Sequence, residues 1–342
     1  MTIIVGYGLA GFSLAVQLMQ REEDFCIIDQ PRWSASRSAA GLCNPTVLKR
    51  YTLAWKGTEF FSYAKAFYKK IATILDRPHV YEPSTVARIF SHEKETIAWE
   101  HASCHPALEP YLSSDTQQEL SSVVDTKHGY GFVESIFRVD ISQLLDAFKA
   151  QLKPGQFIEE SFQFEDLTLQ EKKLQYKHLK AHYIVFCEGY QMHQNPYFKD
   201  LPLVGNKGEM LLIKAPQLKL DTILKSSLFV VPLELDYFWV GATYNWKDKT
   251  LKTTQEGKQW LEEQLNKLLK VPYEIVSQTA RIRPTVIDRK PLLGKHPTHP
   301  NLIVYNGLGT RGTLMAPLLS QWLYQYLFEQ VPLSEKVDIN RF

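Results

Sequence analysis

Residues 3–11 read IIVGYGLAG, and no other stretch constrains the fold as tightly. The apolar run Thr2–Val5 leads directly into Gly6, Gly8 and Gly11. LAGFSLAVQLMQRE follows, with Leu9, Phe12, Ala15 and Leu18–Met19 recurring at helical spacing. A second apolar run, DFCIIDQ, ends in Asp29. Strand, glycine turn, helix and strand make a βαβ unit. In such a turn the first glycine permits the tight reversal, the second lets a pyrophosphate approach the backbone, and the third lets the helix pack on the strand. The helix end offers unpaired N–H groups and a positive dipole end to phosphate. Asp29 stands 21 residues beyond Gly8, where a carboxylate accepts hydrogen bonds from an adenosine ribose and repels a 2′-phosphate. The turn predicts an adenine dinucleotide without that phosphate, and alone it does not separate FAD from NAD.

A second unit of this type closes the chain: the strand-like NLIVYNG, then Gly307, Gly309 and Gly312, then the helical GTLMAPLLSQWLYQYLFEQ. Helical patterns recur at 56–75, at 140–152 with Asp140 as N-cap, and in TQEGKQWLEEQLNKLL. Strand patterns fill VYEPSTVARIF, GYGFVESIFRV, FIEESFQFEDLTLQ, KLQYKHLKAHYIVFCEG, GEMLLIKAP and SLFVVPLELDYFWVGATY. With 342 residues, 44% of them hydrophobic, the chain is longer than one core usually reaches. The expected fold class is α/β (α+β overall): a Rossmann-like dinucleotide domain with a parallel central sheet, interleaved with a β-rich substrate domain. Residues 1–80, 140–200 and 288–342 are assigned to the first, and 81–139 and 201–287 to the second.

Charge excludes little. Lys+Arg total 39 and Asp+Glu 37, so no general basic field points to nucleic acid. Scattered basic pairs remain at Lys49–Arg50, Lys69–Lys70 and Arg289–Lys290. The four cysteines, Cys26, Cys43, Cys104 and Cys187, form no C-x-x-C or His/Cys cluster, and no metal is expected. Cys26 and Cys187 lie in apolar runs and read as buried thiols. A strand starting at Thr2 leaves no room for a signal peptide, and no apolar run approaches the roughly 18 residues that span a bilayer. A cytoplasmic, soluble protein without a membrane partner is expected; its oligomeric state is not legible.

Three further stretches bear on the cofactor. SASRSAAGLCNP (34–45) sets small residues and one arginine just after the acid-bearing strand, allowing close backbone approach to a bulky ligand. AHYIVFCEGY reads as a buried strand ending at Gly189. The glycine turn at 307–312 offers a second helix N-terminus, suited to the negative charge of a reduced flavin.

Together these residues resemble the D-amino-acid oxidase-type (DAO) FAD-dependent oxidoreductases, which include glycine oxidase and sarcosine oxidase. Gly6, Gly8, Gly11 and Asp29 match that family's FAD-adenosine site. SRSAAGL, with Arg37, Ser38, Ala40 and Gly41, resembles its loop under the pyrophosphate and flavin. IVFCEGY resembles its "vvlAaGaw" strand, with Cys187–Glu188 in place of small residues. GNKGEMLLI, through Gly208, resembles its "rGq" segment. ARIRPTVIDRKPLLG resembles "giRP.t.D..PiiG" through Arg283, Pro284, Asp288, Pro291 and Gly294. LGTRGTLMAPL is most similar to the FAD domain of the bacterial tRNA 5-methylaminomethyl-2-thiouridine biosynthesis bifunctional enzymes, which oxidatively remove a carboxymethyl group from a wobble uridine. No space is left for their methyltransferase domain, so a stand-alone FAD module is expected. The aromatic hydroxylases and halogenases carry Gly-Asp where this chain has YNGLGTRG, and they are the poorer match.

The resemblance implies FAD, non-covalent because no Cys follows Tyr190, and a two-electron oxidation of the carbon beside an amine nitrogen, with oxygen as the expected reoxidant. It places Arg283 over the flavin as the substrate carboxylate's partner. The alternative for Arg283 is a salt bridge with Asp288. Arg281, two positions back on the same strand face, is the second candidate. Arg311 lines the flavin edge or substrate mouth and is grouped with Arg283 as catalytic. Tyr244 would wall the substrate pocket, with Trp246 on the same face if the strand continues. Glu188, if it faced the flavin, would oppose the reduced anion. The leading reading is an FAD-dependent oxidoreductase acting on an amine or amino-acid-like small molecule. The second is a tRNA wobble-uridine modifier. The third is a flavin-binding protein without turnover.

Overall fold

A computed structural model describes residues 1–30, 34–169 and 174–342. The nucleotide-type sheet has the strand order β18 (Leu292–Lys295), β19 (Leu302–Asn306), β12 (Tyr183–Phe186), β1 (Thr2–Val5), β2 (Phe25–Ile28) and β8 (Phe157–Ile158). All neighbours run parallel except β18, which is antiparallel to β19. Every residue of β1, β2 and β19 is buried, as expected for parallel strands covered on both faces. Runs of four apolar positions with no alternation, as in Phe25–Ile28 and Leu302–Tyr305, are therefore a structural requirement here.

The second sheet has the order β17 (Glu274–Arg283), β13 (Asn206–Lys214), β16 (Tyr237–Gly241), β15 (Phe229–Pro232), β14 (Ile223–Lys225), β6 (Tyr81–Ile89), β7 (Tyr130–Val139) and β3 (Leu42–Cys43). Its pairs are antiparallel apart from β14 with β6. Short β3 joins this sheet although its sequence falls within the first nucleotide segment. A hairpin of β4 (Thr46–Val47) and β5 (Thr52–Leu53) and a three-stranded sheet of β9 (Leu167–Leu169), β10 (Leu174–Tyr176) and β11 (Leu179–Ala181) complete the strands. The chain is α/β with a mainly parallel central sheet, and the two large sheets interleave in sequence.

Helices α1 (Leu9–Met19) and α6 (Gly312–Phe328) are buried on nearly every face because they pack on each other as well as on the sheet. Helix α2 (Gly57–Ile74) covers α6 with one face. Asp140 caps α4 (Ile141–Ala150), its Oδ1 accepting from Gln143 N at 3.0 Å. Thr254 does the same for α5 (Gln255–Leu268), accepting from Gly257 N at 3.0 Å. Helix α3 (Glu93–Ser103) was not legible in the sequence: only Trp99, Ala102 and Ser103 are buried in it, too few to print a helical period.

Strand β16 stops at Gly241, so Tyr244 and Trp246 lie in a loop and do not extend the strand. The loop turns because Asn245 Oδ1 accepts from Lys247 N and Asp248 N, both at 2.9 Å.

Gly11 is the tightest position in the first unit, because a Cβ there would collide with the Gly6 carbonyl oxygen. Gly11→Ala should cost roughly 1–3 kcal/mol through overpacking. Thermal unfolding checks this, and an unchanged midpoint would show that the turn can shift to accept a methyl group.

Candidate active site

Strands β2, β1, β12 and β19 are parallel, with Val5 opposite Ile28 and Phe186, and Phe186 opposite Val304. Their carboxyl ends therefore lie on one edge of the sheet, and from that edge depart Asp29, the Gly6 turn, Gly189 and Gly307. The chain leaves β1 toward β2, while β12 lies on the other side of β1. The crevice beyond β1 is thus a topological switch point, where ligands bind in open α/β sheets.

The Gly6 turn has φ 101° at Gly6, and a Cβ there would press on the Cys187 carbonyl. Tyr7, between the glycines, is buried and anchors the turn: its hydroxyl donates to Leu145 O at 2.7 Å and its ring meets Phe157 edge-on at 5.2 Å. At Gly8 a Cβ would come within 2.9 Å of Ser36 Oγ. That hydroxyl accepts from Leu9 N at 3.1 Å, at the N-terminus of α1. Ser36 was not singled out in the sequence, where it is one small residue among several. Asp29 is half-buried just past β2.

Gly307 (φ 78°) and Gly309 (φ 56°) form the second turn. Gly312, the first residue of α6, lies so close to Leu9 that a Cβ would come within 3.0 Å of Leu9 Cδ1. The N-termini of α1 and α6 therefore converge, and two positive dipole ends serve one crevice. Buried Asn306 ties the turns together: its Nδ2 donates to Gly189 O at 2.8 Å and its Oδ1 accepts from Gly307 N at 2.8 Å. A Cβ on Gly189 would meet nothing within 4 Å, so that turn borders open space. Sterically required glycines, open space at Gly189 and converging helix ends fit a dinucleotide such as FAD.

The 34–45 segment is held from three sides. Arg37 donates to Asp146 Oδ1 at 2.7 Å and to Ser142 O at 3.3 Å, both on α4. Ser38 O accepts from Trp239 Nε1 at 3.1 Å. Ala40 is half-buried against the core, and Gly41 (φ 74°) is so close to β7 that a Cβ would collide with Val139 O. Arg311 precedes α6, and its two terminal nitrogens donate to Asn44 O at 3.1 Å and Thr46 O at 3.2 Å. Its fork thus fastens the β3–β4 stretch to the helix end.

Arg283 sits differently. It ends β17 opposite Asn206 of β13. A Cβ on Gly208 would collide with its guanidinium, so the glycine provides the bed on which the side chain lies. Arg283 Nη1 donates to Asn206 Oδ1 at 2.7 Å and Thr243 O at 3.3 Å, and its guanidinium carbon lies 4.6 Å from the centre of the Tyr244 ring. Among the described residues no carboxylate pairs with it. Asp288, the alternative partner, instead accepts from Arg341 Nε at 2.8 Å. Burial pushes the Arg283 pKa below its ordinary value, and the same holds for Arg281 and Arg311. Arg281 shares the β17 face, opposite Gly208, and its Nη1 donates to Ala280 O at 2.6 Å. Arg281 Nε and Asn206 Nδ2 are buried donors without a partner among the described residues. The region is rich in donors and short of acceptors, which suits an anion.

Lys207 and Glu209, on either side of Gly208, fix the loop that carries Tyr244 and Trp246. Fully buried Lys207 donates to Asp248 and to Lys252 O. Its hydrogen bond holds the Asp248 carboxyl down at about 2. Glu209 accepts from Thr254 N and Oγ1 at 2.8 Å and from Gln278 Nε2 at 2.7 Å. The sequence signal for both was a charged residue inside an apolar strand. Tyr244 is 63% exposed and Trp246 49%, so they stand at a rim and not in a core.

Glu188 follows β12, its Cα 3.4 Å from where a Gly6 Cβ would be. Its Oε2 accepts from Asn195 Nδ2 at 2.8 Å. Desolvation pushes its pKa up to about 7, partly opposed by that bond. A raised native pKa means the folded state binds the proton more tightly than the unfolded one. The ionisation penalty is absent below the unfolded value near 4.5, grows as pH rises, and is complete above about 7. Glu188→Gln keeps an acceptor for Asn195. It should raise the melting temperature at pH 8 and lose that advantage toward pH 5. An advantage independent of pH would assign the effect to something other than this carboxyl.

The family model for DAO, FAD dependent oxidoreductase, matches residues 1–326. The tRNA 5-methylaminomethyl-2-thiouridine biosynthesis bifunctional protein of Legionella pneumophila (strain Philadelphia 1) is 23% identical over 368 residues, covering 94% of this chain and 53% of that protein. The chain thus spans about half the length of that relative. Among solved structures, glycine oxidase from Geobacillus kaustophilus superposes with a TM-score of 0.80 at 19% identity, covering 97% of this chain and 95% of its own. Iminodiacetate oxidase from Chelativorans sp. BNC1 gives a TM-score of 0.78 at 17% identity, covering 98% of both chains.

Proposed function

The chain belongs to the DAO family of FAD-dependent oxidoreductases, and from that premise we propose that it oxidises the C–N bond of an amine carrying a carboxylate close to that bond. The observation that carries this reading is Arg283, a half-buried cation with no carboxylate of its own among the described residues, bedded on Gly208 and steadied by Asn206, Thr243 and Tyr244. Its unused donors suit a bidentate carboxylate. The similar solved structures include oxidases named for glycine and iminodiacetate, both such amines.

Bound FAD supplies the acceptor for a hydride leaving the carbon beside the amine nitrogen; the resulting imine takes up water and divides into an amine and a carbonyl compound. Gly6, Gly8, Gly11, Asp29 and the α1 N-terminus would hold the adenosine and pyrophosphate. The turn at Gly307–Gly312 and the α6 N-terminus would serve the flavin. Arg283 binds and orients the substrate, and Arg281 and Asn206 add donors to the same side. Arg311, its fork engaged by Asn44 and Thr46 carbonyls, positions the wall of the site. Tyr244 and Trp246 form the rim.

Modification of a tRNA wobble uridine is the second reading, favoured by the Legionella relative. The carboxymethyl group removed there is attached to an amine, so the same arginine would hold it. Two of the three basic pairs lie on neighbouring segments: Lys290 stands over the Trp55 ring at 4.5 Å, and Trp55 follows the hairpin whose turn carries Lys49–Arg50. Lys69–Lys70 are on α2, away from that hairpin's strands in sequence.

The purified protein should be yellow and release FAD on denaturation. Anaerobic addition of glycine, N-alkyl glycines and D-amino acids should bleach the flavin band for at least one member. Bleaching by carboxymethylaminomethyl-bearing tRNA alone would select the second reading, and bleaching by neither would overturn both. In Arg283→Ala, the barrier reported by kcat/KM for the carboxylated amine should rise by roughly 2–5 kcal/mol, the cost of truncating one partner of a buried charge pair. An unchanged KM would remove Arg283 from the carboxylate role.

A further inference from the structure

We propose that the open cavity between the β4–β5 hairpin and α3 is a second binding site, for a small anionic ligand with an apolar body. It encloses about 640 Å³, within the range of small-molecule sites. None of its lining residues belongs to the crevice or the Arg283 region described above.

The lining is sorted by charge. Arg50, Lys94, His101 and His105 contribute the basic groups, and no Asp or Glu lines the cavity. In a chain with nearly equal numbers of acids and bases, a wall with bases alone selects an anion. Between those groups the surface is apolar. Ile97 is 67% exposed on α3, a position where a solvated helix face ordinarily carries a polar residue, and it lines the cavity with Leu53 and Leu108.

Tyr51 lines the cavity with a left-handed backbone (φ 49°), which a bulky residue adopts only when its surroundings hold it there. Its ring meets Trp99 edge-on at 5.5 Å. Its hydroxyl is buried against the Arg88 guanidinium, which acts on it both as a charge and as a hydrogen-bonding group. The terminal Arg88 nitrogens are engaged, by Glu95 Oε1 at 2.8 Å and Ile89 O at 2.5 Å. A basic rim without carboxylates, set around apolar walls, defines a carboxylate, sulfonate or phosphate monoester attached to an apolar or aromatic group.

Anilinonaphthalene sulfonate has this chemistry, and N-phenylnaphthylamine is its counterpart without the sulfonate. Calorimetric titration of the flavin-loaded protein should give saturable one-to-one binding of the sulfonate, at least tenfold tighter than the neutral compound. Lys94→Glu and Ile97→Glu, both exposed on α3, should each weaken it at least tenfold with flavin content unchanged. Lys267→Glu on α5 makes the same charge change elsewhere and should not. Absence of saturable binding, equal affinity for the neutral compound, or unchanged affinity in both α3 variants would each overturn the proposal. Octanoate and phenyl phosphate, tested as competitors, then separate carboxylate from phosphate ligands.

Discussion

The close approach of α1 and α6 at their first turns is the constraint on which the site depends. Leu9 and Gly312 touch there, across more than 300 residues of sequence. Gly11 permits α1 to lie over the Gly6 carbonyl, and Gly312 permits α6 to reach α1. A side chain at Gly11 would force α1 off the Gly6 carbonyl, and one at Gly312 would press on the end of Leu9. Asn306 performs the matching task in the backbone by holding the ends of β12 and β19 in register beneath them. The nucleotide crevice is thus a product of packing between the two ends of the chain, and the β-rich sequence between them is free to specialise.

Charge pairing divides the labour among the arginines. Arg37 is paired with Asp146, Arg341 with Asp288, and Arg311 is satisfied by two carbonyls. These hold segments together. Among the described residues Arg283 hydrogen-bonds to neutral oxygens, lies over the Tyr244 ring and meets no carboxylate, and desolvation lowers its pKa. A cation held rigidly without an anion is poor for stability and well suited to binding one. The neighbouring strand enforces the arrangement: Gly208 makes room, while Lys207 and Glu209 on either side of it anchor the loop that brings Thr243 and Tyr244 to the guanidinium.

Much of this was legible in the sequence because glycine and buried β-strands leave strong local marks. The βαβ unit, the second glycine turn, the Asp140 cap and the interleaving of sheet-forming segments all follow from residues within a short window. Contacts between distant segments left no such mark. Nothing near Arg283 tells that Asp288 turns to Arg341, and nothing near Arg311 tells that its fork is occupied by carbonyls more than 260 residues away. Ser36, Asn206 and Asn306 were missed for the same reason, since each is an ordinary polar residue until its partner is known. Helix α3 was missed because its outward face carries Ile97 where a polar residue would have printed the period.

Glycine-type amines and a carboxymethylated uridine differ in what is attached to the nitrogen, and much less in what the reacting centre presents. Either way a carboxylate lies near the carbon to be oxidised, so the role proposed for Arg283 is the same in both readings. Discrimination must then come from beyond the guanidinium, at the rim. Tyr244 and Trp246 are large aromatic side chains left mostly to solvent on a loop that Lys207 and Glu209 hold in place. A rigid rim of this kind suits a substrate larger than an amino acid, because stacking surface is useful only if the substrate extends to it. On the role proposed for Arg283, a bound carboxylate lies beside the Tyr244 ring in either reading, and the substrate's size is decided by whether the rest of it extends to Trp246.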